Sequence, residues 1–110
     1  MNKKYIITKN EEIQEIIKVG KKINNKYFLV FYRENNYNYS RYCISVNKKI
    51  GKSNVRNKLK RQLKDILMKN KLSINKDYVI IVRNILLTLS YDMKQEYLLN
   101  TLREEKWKKY

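Results

Sequence analysis

Residues 77–83 read DYVIIVR, and the apolar run between the two charged ends shows no alternation. A strand with one wet face carries polar residues at every second position, so this run predicts a strand covered on one face and protected on the other, central in its sheet. The rest of the chain must supply the cover. Residues 9–19 place Ile13, Ile16 and Ile17 at helical spacing, with Asn10 as N-cap and Gly20 as the stop. Ser53 caps a second helix that runs to about residue 69, with Val55, Leu59, Leu63, Ile66 and Leu67 as its inward stripe. Ser90 caps a third that runs to about residue 107, with Met93, Tyr97, Leu98 and Leu102 available to pack and Trp107 as a C-terminal packing residue. Residues 26–34 (KYFLVFYRE) and 41–47 (RYCISVN) are rich in aromatic and β-branched residues, and the ENNYNYS between them predicts a hairpin. A short extra strand has room at residues 21–26.

The order α-β-β-α-β-α predicts an α+β fold, a two-layer sandwich of helices on a small mixed sheet. With 110 residues and no linker, repeat or low-complexity tract, the whole chain reads as one domain, 1–110.

Composition narrows the function. The 26 Lys and Arg outnumber the 10 Asp and Glu, a formal charge of +16 that repels itself unless a polyanion or salt neutralises it. The excess is local, with 12 basic residues between positions 35 and 76 against one acid, Asp65. No apolar run approaches the roughly 20 residues that span a bilayer, and the first seven residues make no convincing secretory signal, so a soluble cytoplasmic protein is expected. A lone Cys43 and no His exclude an internal disulfide and a structural zinc set, and predict no metal site in the chain. The lack of His also removes the commonest general base near neutral pH, so catalysis by side chains would have to rely on carboxylates, Lys or Tyr, which weakens the reading of a self-sufficient enzyme.

On the second helix, Arg56, Asn57, Lys60, Arg61 and Lys64 fill the sector beside the apolar stripe. They spread over about 12 Å of axis, a few phosphate spacings of a polynucleotide. Solvated helix faces usually mix signs, and like charges at i,i+4 cost a few tenths of a kcal/mol each without a partner. Arginine can hold phosphate bidentately or stack on bases, and asparagine can donate and accept at a base edge, a combination suited to folded RNA.

The segment SVNKKIGKSNVRNKLKRQLKD closely resembles the signature of the bacterial ribonuclease P protein subunit: two Lys, an apolar residue and Gly, then Arg-Asn-x-x-Lys-Arg-x-x-Arg/Lys. Lys48, Lys49, Ile50 and Gly51 match the first part, and Arg56, Asn57, Lys60, Arg61 and Lys64 the second. The resemblance extends along nearly the whole chain. It implies a left-handed crossover between parallel strands, an exception to a strong rule. It also implies a division of labour in which a catalytic RNA removes the 5′ leader of precursor tRNA, using Mg²⁺ bound mainly by that RNA and the substrate, while the protein binds the RNA and the leader. The partners would be the catalytic RNA and precursor tRNA, with neither membrane nor DNA.

By resemblance, the five signature residues would contact the catalytic RNA, with Lys48, Lys49 and Lys52 extending the basic surface beside the leader and Arg83 adding to it. A leader cleft between the first helix and the sheet would be lined by Ile13, Ile17, Leu29 and Phe31, with Tyr27 as a further ring. The chain departs from the family in having Ile13 and Ile17 where Phe is usual, and Asn47 in place of Ser before the double Lys. Isoleucine cannot stack on a base, so leader contact there would be by van der Waals packing. On periodicity alone, Ile13, Ile17, Phe31 and Tyr27 also fit a buried core. An alternative is a ribosomal or RNA-chaperone protein of similar fold, since fold does not fix function.

Overall fold

The computed structural model describes residues 3–70 and 75–107, with the backbone alone at 104–107, so the side chain of Trp107 lies outside the described residues. Three helices, α1 (Asn10–Val19), α2 (Ser53–Lys69) and α3 (Tyr91–Trp107), cover a sheet of four strands: β1 (Lys21–Asn24), β2 (Phe28–Glu34), β3 (Arg41–Val46) and β4 (Lys76–Val82). The sheet order is β1-β2-β4-β3. β4 runs antiparallel to β2 and parallel to β3, so the sheet is mixed and the unalternating strand is central, as its sequence requires.

The expected hairpin between residues 26–34 and 41–47 does not form, because β4 lies between β2 and β3. β2 and β4 are apolar toward both faces and take the two central positions, where both can be buried, whereas β3 turns Arg41 and Ser45 to one face and takes the edge. Tyr78, Ile80 and Val82 face one side, Val79 faces the other, and all four are buried. The hairpin that does form joins β1 to β2. Its turn is built on Asn25, whose Oδ1 accepts the N–H groups of Tyr27 and Phe28, each at 2.9 Å. The extra strand suggested at residues 21–26 is β1.

The main core lies on the face covered by α2 and α3, where Phe28, Val30, Tyr78 and Ile80 meet Leu59, Leu63, Ile66, Leu98 and Leu102. A smaller core of Ile7, Ile16 and Val79 lies under α1 on the opposite face. Val55, assigned to the inward stripe of α2, stands 37% exposed and packs beside Gly51.

Two of the three expected caps shift by one residue. Asn10 and Ser53 fall inside their helices, Lys9 and Lys52 hold the cap positions, and neither makes a side-chain cap. Ser90 caps α3, its Oγ accepting the Met93 N–H at 3.2 Å. Gly20 ends α1 with φ −73°, so left-handed backbone is not the reason for glycine there. A Cβ at that position would meet the carbonyl oxygens of Ile16 at 2.5 Å and Tyr32 at 2.7 Å, so the site demands close backbone approach.

Candidate nucleic-acid interface

Burial of Leu59, Leu63, Ile66 and Leu67 fixes the rotation of α2 and turns the neighbouring polar sector outward. Asn57, Lys60, Arg61 and Lys64 come together there, lining an open depression with Asn54. Among the described residues, the ion pair on α2 is that of Lys69 with Asp65 at 3.0 Å. Asp65 also accepts a hydrogen bond from the Tyr91 hydroxyl, and these two partners hold its carboxyl below the usual range. The one acid of the helix is thus engaged by Lys69 and Tyr91 rather than by Lys60, Arg61 or Lys64.

Arg56 behaves differently from its four neighbours. Its Nε donates to the Gly51 carbonyl at 3.2 Å and its guanidinium to Ser53 Oγ at 3.1 Å, so it fastens the turn before α2 to the helix. That turn, a short 3-10 segment at Lys48–Ile50, buries Ile50 and leaves Lys48 and Lys49 exposed. Asn47 caps it, Oδ1 accepting the Lys49 N–H at 2.9 Å, a contact that a serine hydroxyl could also make. Lys52 is exposed at the start of α2.

The structure does not bring Arg83 to this surface. Its Nε donates to the Asn25 carbonyl at 3.0 Å and its guanidinium to Asn24 Oδ1, tying the end of β4 to the β1–β2 turn.

On the other face of the sheet, α1 inserts Ile16 and leaves Ile13 and Ile17 half-buried at its flanks, packed with Phe31, Cys43 and Ile81. Leu29 shares the face of β2 that carries Phe31 and is half-buried. Pairing places Phe31, Val79 and Cys43 in one row and Leu29, Ile81 and Ser45 in the next, a floor that α1 covers only in part. Four of the five predicted cleft residues therefore lie on the α1 side of the sheet. Tyr27 does not join them, because its ring stacks on Tyr97 of α3, 4.2 Å between centroids and 12° between planes. Burial raises the Cys43 thiol pKa while the charge of Lys60 lowers it, so α2 reaches the rim of the same floor.

Sequence reasoning missed a buried charge network. Asp77 is fully buried and accepts from Arg41 at 2.9 and 2.8 Å, from Asn35 at 2.8 Å and from Arg33 at 3.4 Å. Glu12 and Glu15 of α1 close it through Arg41 at 2.8 Å and Arg33 at 3.0 Å. Acids from the first helix thus neutralise the two arginines of the sheet and leave α2 its excess. The available signal was the position of Arg41, first in β3, and of Asp77, directly ahead of the apolar run of β4. Lys94 is also buried against α2, donating to Gln62 Oε1 at 2.9 Å, and burial with the nearby charge of Lys58 lowers its pKa.

The family model described as Ribonuclease P matches residues 1–106. The ribonuclease P protein component of Mycoplasma mycoides is 43% identical over 109 residues, covering 96% of this chain and all of that one. That of a Geobacillus species is 37% identical over 107 residues, covering 94% and 92%. Among solved structures, a Staphylococcus aureus RNase P protein mutant with defective mRNA degradation activity superposes with a TM-score of 0.88 at 32% identity, covering 94% of this chain and 90% of that one. The RNase P protein from Thermotoga maritima gives 0.83 at 36% identity, covering 89% and 94%.

Proposed function

We propose, given that this chain belongs to the bacterial ribonuclease P protein family and is the protein subunit of that holoenzyme, that it binds the catalytic RNA through the basic face of α2. The single observation that carries this is the depression lined by Asn57, Lys60, Arg61 and Lys64, three cations and an amide with no acid of their own among the described residues. Phosphates there would release counterions, and the planar guanidinium of Arg61 suits bidentate phosphate contact. Lys48, Lys49 and Lys52 continue the cationic surface beyond the start of the helix.

The second site is the groove of Ile13, Ile17, Leu29 and Phe31, which would receive the single-stranded 5′ leader of precursor tRNA. Its half-buried apolar wall offers one ring, Phe31, and otherwise aliphatic packing, so leader contact would depend little on stacking. Arg56 and Arg83 support the surface from behind, the first through the turn that carries Lys48 and Lys49 and the second through the β1–β2 turn.

Chemistry belongs to the RNA in this reading. Among the described residues no group of three or more His, Cys, Asp or Glu could hold a metal ion. Mg²⁺ would be bound by the RNA subunit and the substrate, where it supplies charge stabilisation for hydrolysis. Nor does any helix in the described residues have the length and apolarity to cross a membrane.

Reconstitution tests the proposal. Protein alone should leave precursor tRNA intact, and protein with the cognate catalytic RNA at low Mg²⁺ should cut it at the mature 5′ end. Cleavage by the protein alone would overturn the division of labour.

A further inference from the structure

The outer edge of β3 carries a feature that RNA binding along α2 does not require. The segment before α1 pairs with this edge by a single bridge, Ile6 beside Tyr42, with the Ile7 N–H donating to the Tyr42 carbonyl at 2.9 Å. The chain then turns away into α1, so the next rung is not made. Along a strand, backbone polar groups point alternately to the two sides, so Ile44 directs its N–H and C=O to the same open edge as Tyr42. β3 is the last strand of the sheet, and among the described residues only the Ile6–Tyr42 bridge continues this edge. Strand-edge donors and acceptors that no neighbouring strand takes are satisfied by water or a ligand.

This edge forms the wall of a notch. Ile6, Cys43 and Ile44 give it apolar surface, and Lys60 and Lys64 of α2 stand at its rim. The same two lysines line the α2 depression, so notch and depression are continuous. An apolar wall, one exposed peptide donor and acceptor, and two adjacent cations match the three parts of a nucleotide: the ring face, the donor-acceptor edge of a base, and the phosphate. Single-stranded RNA is read in this manner, with unstacked bases turned out of the strand. A peptide strand could extend the edge instead, but one free rung gives it little, and the lysine rim favours an anion.

We propose that the notch receives one unpaired nucleotide of the catalytic RNA held on α2, its base against Ile6 and Ile44 and its phosphate between Lys60 and Lys64. This rests on the reading of α2 as the RNA interface. The base would hydrogen-bond to the Ile44 backbone, so the site orders the RNA at one point and fixes its register on the helix.

Cys43, the only cysteine in the chain, reports on the notch from within its wall. The full chain is treated with methyl methanethiosulfonate, alone and saturated with cognate catalytic RNA, with saturation established separately by mobility shift. The expected result is modification at least tenfold slower in the complex. An unchanged rate in a saturated complex overturns the notch and leaves the α2 interface standing, whereas failure to saturate overturns both. Protection by precursor tRNA alone, and not by catalytic RNA, also overturns the proposal by assigning the notch to substrate. Filling the space with Ile44→Trp separates entry from mere covering: affinity for the catalytic RNA should fall about tenfold, and unchanged affinity refutes entry. Should that variant not fold, Ile6→Trp at the rim makes the same test.

Discussion

Asp77 shows how much a single residue decides in a chain this basic. Burial works against its charged form, yet hydrogen bonds from Arg41, Asn35 and Arg33 outweigh burial and hold its carboxyl below the usual range. In turn Arg41 is held above its ordinary value, mainly by that carboxylate and despite partial burial. Removing one member of a buried pair costs about 3–5 kcal/mol because the other is left uncompensated. Because Asn35 and Arg33 still reach Asp77, Arg41→Ala should lose at most about that much in urea unfolding. A depressed carboxyl pKa stabilises the fold above the unfolded value near 3.9 and loses that contribution as pH falls through the folded value. Asp77→Asn should accordingly be less stable than wild type at pH 7, with the gap closing below about pH 4. Gly20 is a second sensitive residue. Gly20→Ala pushes a methyl against two backbone oxygens and should cost about 1–3 kcal/mol, measured by the same unfolding curves.

At the scale of elements, α2 separates cleanly into a face that holds the fold and a face that does not. Leu63→Ala should cost about 2–5 kcal/mol, since Leu63 is fully buried. Lys60→Ala/Arg61→Ala/Lys64→Ala should leave the urea midpoint unchanged or raise it, because like charges are removed. The same triple variant should flatten the salt dependence of RNA affinity, by about 0.7 to 0.9 in log-log slope for each phosphate left without its cation. Much of this was legible in the sequence. The 3.6-residue period marked α2 and its outward charges, and the unalternating run marked β4 as central. Strand pairing was not legible: two neighbouring strand-like segments suggested a hairpin, and only the burial demand of a strand beyond α2 displaces β3 from β2. Of the site residues set by the period of α2, Asn57, Lys60, Arg61 and Lys64 share one depression, whereas Arg56 turns to Gly51 and Ser53. Tyr27 and Arg83 did not fall where expected, because each lies beside a turn whose geometry, built by Asn25, no periodic pattern records.

For the whole molecule, charge organises what the fold presents. Glu12 and Glu15 pair with Arg41 and Arg33 beneath α1, while the cations of α2 and the preceding turn face outward. A free protein at +16 should gain thermal stability from added salt, and more from a saturating polyanion that binds only the folded state. Scanning calorimetry with and without catalytic RNA measures both. The fold thus sets a basic helix on one face of the sheet and an apolar groove on the other, joined at the β3 edge where Lys60 overlooks Cys43. The most direct test of the central claim is single-turnover cleavage of 5′-labelled precursor tRNA at low Mg²⁺ by catalytic RNA, comparing wild type with Lys60→Ala/Arg61→Ala/Lys64→Ala at equal, subsaturating protein. Wild type should restore cleavage at the mature 5′ end, and the folded variant should fall at least about tenfold, as expected when several phosphates are no longer neutralised. Equal rates for the two proteins would contradict the assignment of α2 as the working RNA interface.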